Sequence, residues 1–497
     1  MRFICTSGRL EEFRADTIVV FTPSFEKITD RTLKALDRAT RGALTILAAS
    51  KEFHGKEGET AVLLKPQGFR AGRVLLAGLG DSSKVDADCF RRAAGVVSRH
   101  KSLAAGERAV FHACFELKPA YAQALVEGYL LGSYVQVNFK TLDGKKDKQE
   151  PSEITVSVTN WSQLPACRQS AQRGQIIADG QNLVRALAFT PSNKLTPRLY
   201  VRRIQELAKK HRLTCRILDE NGIARERMRC LQAVARGSAE PPRFAILHYK
   251  GRRDNQKPVL LVGKGVTFDA GGISLKPAQD MHEMKGDMTG SAIVLSALVT
   301  ASRLKLPVNL VALMPLTENM PSGTALKPGD VVTSRKGLTI DIVNTDAEGR
   351  LILADALDFA NTFKPQAVVD IATLTGAALY VLGYAGAPIV GNNPELMDRL
   401  RQAAAATAER VWEMPMWDDF REAMKGTVAD LVNSGGRPAG TLTASAFLGN
   451  FIGDWPWAHI DIAYVDLEKA GKPYMPKGAT GFGLRLLVEM LSQWKTL

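Results

Sequence analysis

Residues 259–277 read VLLVGKGVTFDAGGISLKP: four apolar residues, Val259 to Val262, then a glycine-rich run carrying Lys264, Asp269 and Lys276 before Pro277. A short, continuous apolar run closed by glycine predicts a strand buried on both faces, as in sheets covered by helices. Open α/β sheets hold their ligands outside the carboxyl ends of the strands, so Lys264 and Asp269 stand where a site belongs. The glycines allow the backbone to approach closely whatever is held there.

The same arrangement recurs downstream. Met284-Lys285-Gly286-Asp287-Met288-Thr289-Gly290 puts Asp287 at the start of a helix predicted over 289–304. Asn344-Thr345-Asp346-Ala347-Glu348-Gly349-Arg350 lies between an apolar strand (338–343) and a helix (350–363) with apolar residues at i, i+3 and i+4. Runs at 308–314, 367–371 and 457–463 predict further strands, and 480–494 a terminal helix. Upstream, 16–21, 73–77 and 154–158 read as strands and 87–100 as a helix, while 125–139 is apolar-rich and 140–153 an exposed polar loop. A long helical pattern over 167–188, closed by Thr190-Pro191-Ser192-Asn193, suits a connector. The expected fold class is α/β. A smaller N-terminal domain (1–165) and a connecting helix (166–190) precede a larger catalytic domain (191–497) with a mixed sheet covered on both faces.

Composition narrows the function. The chain has 497 residues, 45% hydrophobic and 23% charged, which suits a globular protein with a large core and excludes disorder. Lys+Arg (65) exceed Asp+Glu (51), a net charge of +14. Basic clusters at Arg202, Arg203, Lys209, Lys210, Arg212 and at Lys250, Arg252, Arg253, Lys257 could meet nucleic acid or be solvated faces, and no nucleic-acid-binding motif accompanies them. The six scattered cysteines form no CxxC pair, so reduced thiols are expected. The N-terminus lacks an apolar signal segment. The stretch 367–390 carries Asp370, a costly charge in lipid, which argues for a buried strand, loop and helix rather than a membrane span. A cytoplasmic protein is expected.

Several catalytic classes drop out. No Gly-Lys is followed by Ser or Thr, and neither G-x-S-x-G nor HExxH occurs. What remains is acidic: Asp269, Asp287, Asp346 and Glu348 at predicted element ends, beside Lys264, Lys276 and Arg350. Singly, Asp287 and Asp346 could be helix caps, Glu348 could complement a helix dipole, and Lys276 could be a surface residue. Together, four carboxylates balance two divalent cations. Such a pair can activate a water and stabilise an oxyanion.

VGKGVTFDAGGISLKP and NTDAEGRL closely resemble the two motifs of the leucyl (cytosol) aminopeptidase family, dinuclear-metal exopeptidases. The resemblance continues through DMHEMKGDMTG, VVDIATLTGA, HIDIA and KGATG, and so spans the chain from about Leu195 onward. It implies a metal-dependent aminopeptidase that hydrolyses the N-terminal residue from peptides through a two-metal-activated water. Lys264, Asp269, Asp287, Asp346 and Glu348 would ligate the metals (Mn or Zn), with Asp269 and Glu348 bridging. Lys276 would polarise the scissile carbonyl, Arg350 would hold a bicarbonate acting as general base, and Thr373, Leu374 and Gly376 would contact substrate. The family also implies a macro-like N-terminal domain and a homohexamer. Two departures stand out. Tyr464-Val465-Asp466 follow HIDIA where the family has Gly, and Pro438-Ala439-Gly440 replaces Pro-Gly-Gly. The first places Asp466 close to the expected pocket for the substrate's first side chain; the alternative is a surface pair between Asp466 and Lys469. The rival functions are a binuclear phosphoesterase and a DNA-binding protein that retains the fold.

Overall fold

The computed structural model describes residues 1–104, 108–141, 150–252 and 256–496. Residues 142–149 of the expected polar loop, and Arg253 of the second basic cluster, lie outside the described residues. The chain forms two compact units: Met1–Asp179 with Ala470–Lys477, and Gly180–Lys469 with Gly478–Leu497.

The smaller unit is built on a six-stranded sheet. Its strands are β1 (Arg2–Thr6), β2 (Thr17–Thr22), β3 (Thr60–Leu64), β4 (Arg73–Gly78), β5 (Arg108–Ala113) and β6 (Glu153–Ser157), in the order β1-β6-β5-β2-β4-β3. Pairing is parallel except for β3 against β4. Strand alternation splits the core in two. Val19, Phe21, Leu75 and Ala77 meet Phe90, Leu125 and Tyr129 on one face, while Ile18, Val20, Val74 and Leu76 meet Leu33, Leu36 and Phe53 on the other. The apolar run at 125–139 begins inside the helix Pro119–Gly132, which ends well before Phe139.

The larger unit carries a nine-stranded mixed sheet. Five of its strands are β7 (Thr214–Leu218), β8 (Arg243–Lys250), β9 (Val259–Gly263), β10 (Gly265–Asp269) and β11 (Asn309–Asn319). A three-stranded side sheet comprises β12 (Val331–Thr333), β13 (Thr339–Asp341) and β17 (Leu431–Val432). The remaining main-sheet strands are β14 (Ala367–Ala372), β15 (Ala387–Gly391), β16 (Val411–Glu413) and β18 (Trp457–Asp461), in the order β16-β15-β18-β14-β9-β11-β8-β7, with β10 beside β11. The central strands β18, β14, β9 and β11 are mutually parallel, so their carboxyl ends share one edge. Leu260, Val262, Val311 and Leu313 pack with the helix Glu348–Ala360, all of whose residues are buried. The helix Thr289–Leu304 also packs against β8, β9, β11 and β14. A helix buried on nearly every side belongs in a core.

Three local expectations are refined. The run 338–343 shortens to β13 and joins the side sheet. Residues 265–269, within the glycine-rich run, pair with β11 as their own strand. The tail of 367–390 contains the short helix Ala378–Leu382 and then β15. Of the cysteines, Cys5, Cys89, Cys167 and Cys230 are buried and all six are free thiols. Among the described residues no helix is long and apolar enough to cross a membrane. In the helix Pro197–Lys210, Tyr200, Val201, Ile204 and Leu207 are buried while Arg202, Arg203, Lys209 and Lys210 are exposed, the pattern of a solvated amphipathic face.

Candidate metal centre

The three acidic motifs converge at the carboxyl ends of the parallel strands. Lys264 follows β9 directly, and its Nζ lies 2.8 Å from Asp287 Oδ1, 2.8 Å from Glu348 Oε1 and 2.8 Å from the Thr373 carbonyl oxygen. Lys276 Nζ lies 2.8 Å from Asp269 Oδ2 and 2.5 Å from Asp346 Oδ1. Carboxylate oxygens of Asp269, Asp346 and Glu348 all fall within 4.8 Å of one another, a spacing that could hold a metal ion. Asp287 Oδ2 is buried with no protein partner. An orphaned carboxylate oxygen is costly unless something cationic meets it, so the donor set suits a hard cation.

The capping alternatives fail on geometry. The helix at 348 is entered through Ala347 and that at 289 through Met288, and neither entry has a side-chain cap, so Asp346 and Asp287 point elsewhere. Lys276 is turned inward, with 21% of its side chain exposed.

Close backbone approach holds the cluster. A Cβ on Gly349 would stand 2.6 Å from Lys264 Cε. Gly271, at φ +88°, leaves room for Asp346 Oδ1, which would lie 2.9 Å from an added Cβ. Thr345 Oγ1 donates to the Gly271 carbonyl (2.6 Å) and accepts from Ser274 N–H (2.8 Å), tying the third motif to the first.

Electrostatics follow from burial. Desolvation raises Asp287 well above the carboxylate range, though Lys264 opposes it. Asp346 is pushed up to about 7 by burial and by neighbouring Asp269 and Glu348, against the pull of Lys276. Burial works against charge on both lysines. Even so, Asp287, Glu348 and Asp269 hold Lys264 above its ordinary value, and Asp269, Glu348 and Asp346 do the same for Lys276.

Arg350 is buried beside this cluster, lowered to about 10 by desolvation despite Glu348 and Asp461. Its Nη1 donates to the Asn433 carbonyl oxygen (3.0 Å), and its Nε has no protein partner. Thr373 Oγ1 donates to Asp287 Oδ1 (2.7 Å). Leu374 N–H donates to Asp461 Oδ1 (3.1 Å) and Thr375 Oγ1 to Asp461 Oδ2 (2.6 Å). Gly376 faces the Tyr464 hydroxyl.

Asp466 does not pair with Lys469, whose ammonium lies 3.7 Å from Asp280. Its Oδ2 instead lies 3.8 Å from where a Cβ on Gly286 would stand, one residue from Asp287. Desolvation raises Asp466 to about 7, with Asp461 and Glu283 adding to it.

Three residues were missed from sequence. Asn319, ending β11, donates to Asp269 Oδ1 (2.9 Å) and to the Thr345 carbonyl (3.1 Å). Asn433 donates to the Asn344 carbonyl (2.6 Å) and accepts from Val343 and Asn344 N–H. Asp461 anchors the 374–375 backbone. Of these, only Asp461 carried a signal, an acid at a strand's carboxyl end. The two departures from the family pattern, Tyr464 (φ +72°) and Ala439 (φ +50°), both occupy left-handed backbone, which glycine adopts freely.

The cytosol aminopeptidase family's catalytic-domain profile matches residues 182–488, and its N-terminal-domain profile matches residues 17–142. A probable cytosol aminopeptidase from Syntrophotalea carbinolica is 44% identical over 468 residues, covering 93% of this chain and 94% of the relative. Another, from a Geobacter species, is 42% identical over 494 residues, covering 99% of each. The structure of the bottromycin maturation enzyme BotP in complex with Mn superposes with a TM-score of 0.83 at 33% identity, covering 96% of this chain and 99% of that one. Fold, acidic centre and relatives together define a metal-dependent aminopeptidase, and favour neither the phosphoesterase nor the DNA-binding alternative. The chain belongs to the cytosol aminopeptidase family.

Proposed function

We propose that this chain removes the N-terminal residue from peptides by attack of a water activated between two divalent ions. The observation that carries this is the convergence of Asp269, Asp346 and Glu348 within 4.8 Å beside the Lys264–Asp287 pair. Asp269 and Glu348 would bridge the ions, Lys264 and Asp287 would complete one site, and Asp346 would contribute to the other. When bound, the ions (Mn or Zn) lower the proton affinity of water and take up charge from the scissile carbonyl. Lys264 can serve as a ligand only as a neutral amine, so it must shed the proton that its carboxylate neighbours favour. Lys276 keeps its ammonium and aims it where oxyanion charge develops. Arg350, buried and with Nε unpartnered, suits a small anion, and bicarbonate there would take the proton of the water.

The catalytic domain is proposed over 191–497, with the connecting helix at 166–190 and the N-terminal domain at 1–165. A homohexameric state and a cytoplasmic location are proposed from family membership, and binding of nucleic acid through the exposed basic residues is kept only as an activity separable from catalysis. The direct test is mass spectrometry of an unblocked and an N-acetylated peptide incubated with enzyme and Mn. Stepwise loss of residues from the unblocked peptide alone supports the reading. Equal cleavage of both, or activity that survives exhaustive chelation, refutes it.

A further inference from the structure

Asn319 is the last residue of β11, and its backbone is pinned to β10. It stands in register with Asp269, and its carbonyl accepts from the Ala270 N–H at 2.9 Å. The side chain is 4% exposed and sends both hydrogens of one amide to different motifs. Nδ2 donates to Asp269 Oδ1 at 2.9 Å and to the Thr345 carbonyl oxygen at 3.1 Å. A carboxylate and a carbonyl only accept, so the amide must present its NH2 group to both. Gly272, at φ +67°, makes the room: a Cβ there would stand 2.8 Å from Asn319 Oδ1.

The consequence falls first on Asp269. Its Oδ1 also accepts from the Gly271 N–H at 2.9 Å, so two N–H groups occupy that oxygen. The other oxygen, Oδ2, is left to face cations, and Lys276 Nζ lies 2.8 Å from it. The second bond of the amide fixes the residue immediately before Asp346. One side chain thus sets the placement of two of the three carboxylates that gather within 4.8 Å. Lys264 and Asp287 are held differently, through Thr373, whose carbonyl accepts from Lys264 Nζ and whose hydroxyl donates to Asp287 Oδ1. Partners that hydrogen-bond a metal-ligating carboxylate orient it and tune its hold on the ion. We propose that Asn319 is a positioning residue of the metal centre: by joining Asp269 to the Thr345 backbone, it sets the affinity for the ion facing Asp346 more than for the ion facing Lys264 and Asp287. This rests on the two-ion function proposed for the chain.

The test dialyses full-length, Mn-loaded protein against buffers of graded free Mn concentration and counts bound Mn by elemental analysis. Native protein should hold two ions per chain. Asn319→Ala should weaken one of them by about 10–100-fold, the range for loss of such a partner, and the other by less than about threefold. Asn319→Ser, which keeps one short donor, should fall between, and it decides the matter if Asn319→Ala does not fold. Ser274→Ala is the comparison: Ser274 Oγ accepts from the Thr345 N–H at 3.1 Å and so joins the same two segments without touching Asp269. Its binding curve should match that of native protein. Circular dichroism of each loaded protein separates a lost fold from a lost ligand. Unchanged affinities in the Asn319 variants, equal weakening of both ions, or an equal loss in Ser274→Ala overturns the proposal. Native protein that holds no Mn overturns the two-ion function itself, and the proposal with it.

Discussion

Asp370 and His459 are register partners on the adjacent parallel strands β14 and β18, and their Oδ1 and Nδ1 atoms stand 2.5 Å apart with neither side chain exposed. Trp457 Nε1 donates to the other oxygen of Asp370 at 2.7 Å. Burial disfavours the imidazolium, but the Asp370 carboxylate outweighs it and raises His459 above its ordinary value.

Because the folded value is raised, the pair's contribution to stability is complete below the unfolded histidine pKa of about 6.5. It is lost as pH climbs through the folded value. The thermal midpoint of native protein should therefore fall more steeply above pH ~6.5 than that of Asp370→Asn. Removing one partner of a buried pair costs about 3–5 kcal/mol, so the variant should also be less stable at low pH. Parallel midpoint-against-pH curves for the two proteins would contradict the pairing.

Glu348→Ala should abolish turnover and reduce the bound metal count, since this carboxylate is proposed to contact both ions. The protein should still fold, because Gly349 and the rest of the buried helix keep their packing. Elemental analysis alongside a peptide assay is the check. Full occupancy with full activity would remove Glu348 from the ligand set.

Lys276→Ala should lower kcat by about 100–1,000-fold with a much smaller effect on KM, the pattern of an interaction made chiefly in the transition state. Arg350→Ala should be milder, since it acts through a replaceable anion, and added bicarbonate should stimulate native enzyme more than this variant. Equal damage from the two substitutions would require the roles to be reassigned.

Asp466 sets the third kinetic expectation. With its carboxylate beside Gly286, it should disfavour leucine and favour a basic or polar N-terminal residue. Asp466→Met should shift the leucine-to-arginine ratio of kcat/KM toward leucine by about tenfold or more, as expected for loss of a paired charge compared with about 1–3 kcal/mol for a single methylene. As Asp466 is raised to about 7, the arginine preference of native enzyme should sharpen as pH rises from 6 to 8. A ratio that responds neither to the substitution nor to pH would leave Asp466 without a part in selectivity.

The sequence made the site legible because its motifs are local: each acid or lysine sits next to its own strand or helix end, where period and glycine mark the boundary. The main strands and the helix Thr289–Leu304 were likewise readable from apolar runs. Asn319 and Asn433 were not, because their partners lie 26 to 90 residues away and nothing in an isolated Asn distinguishes a buried clamp from a loop residue. Strand β10 was hidden for a related reason: Val266, Thr267 and Phe268 are too few to register as a run, and only pairing with β11 makes them one.

The smaller unit also takes in Ala470–Lys477, where Tyr474 donates to Asp88 and Arg99 reaches the Pro473 carbonyl. A Cβ on Gly95 would lie 2.5 Å from that same carbonyl oxygen. The segment Met1–Asp179 is thus completed by residues made about 290 positions later. At about 5–20 residues per second, roughly 15–60 s of synthesis separate its two pieces. During that interval Gly95 and Asp88 are without the partners that residues 473 and 474 supply in the folded unit. A fragment ending at residue 179 would lack the partners that Ala470–Lys477 gives to Asp88, Gly95 and Arg99.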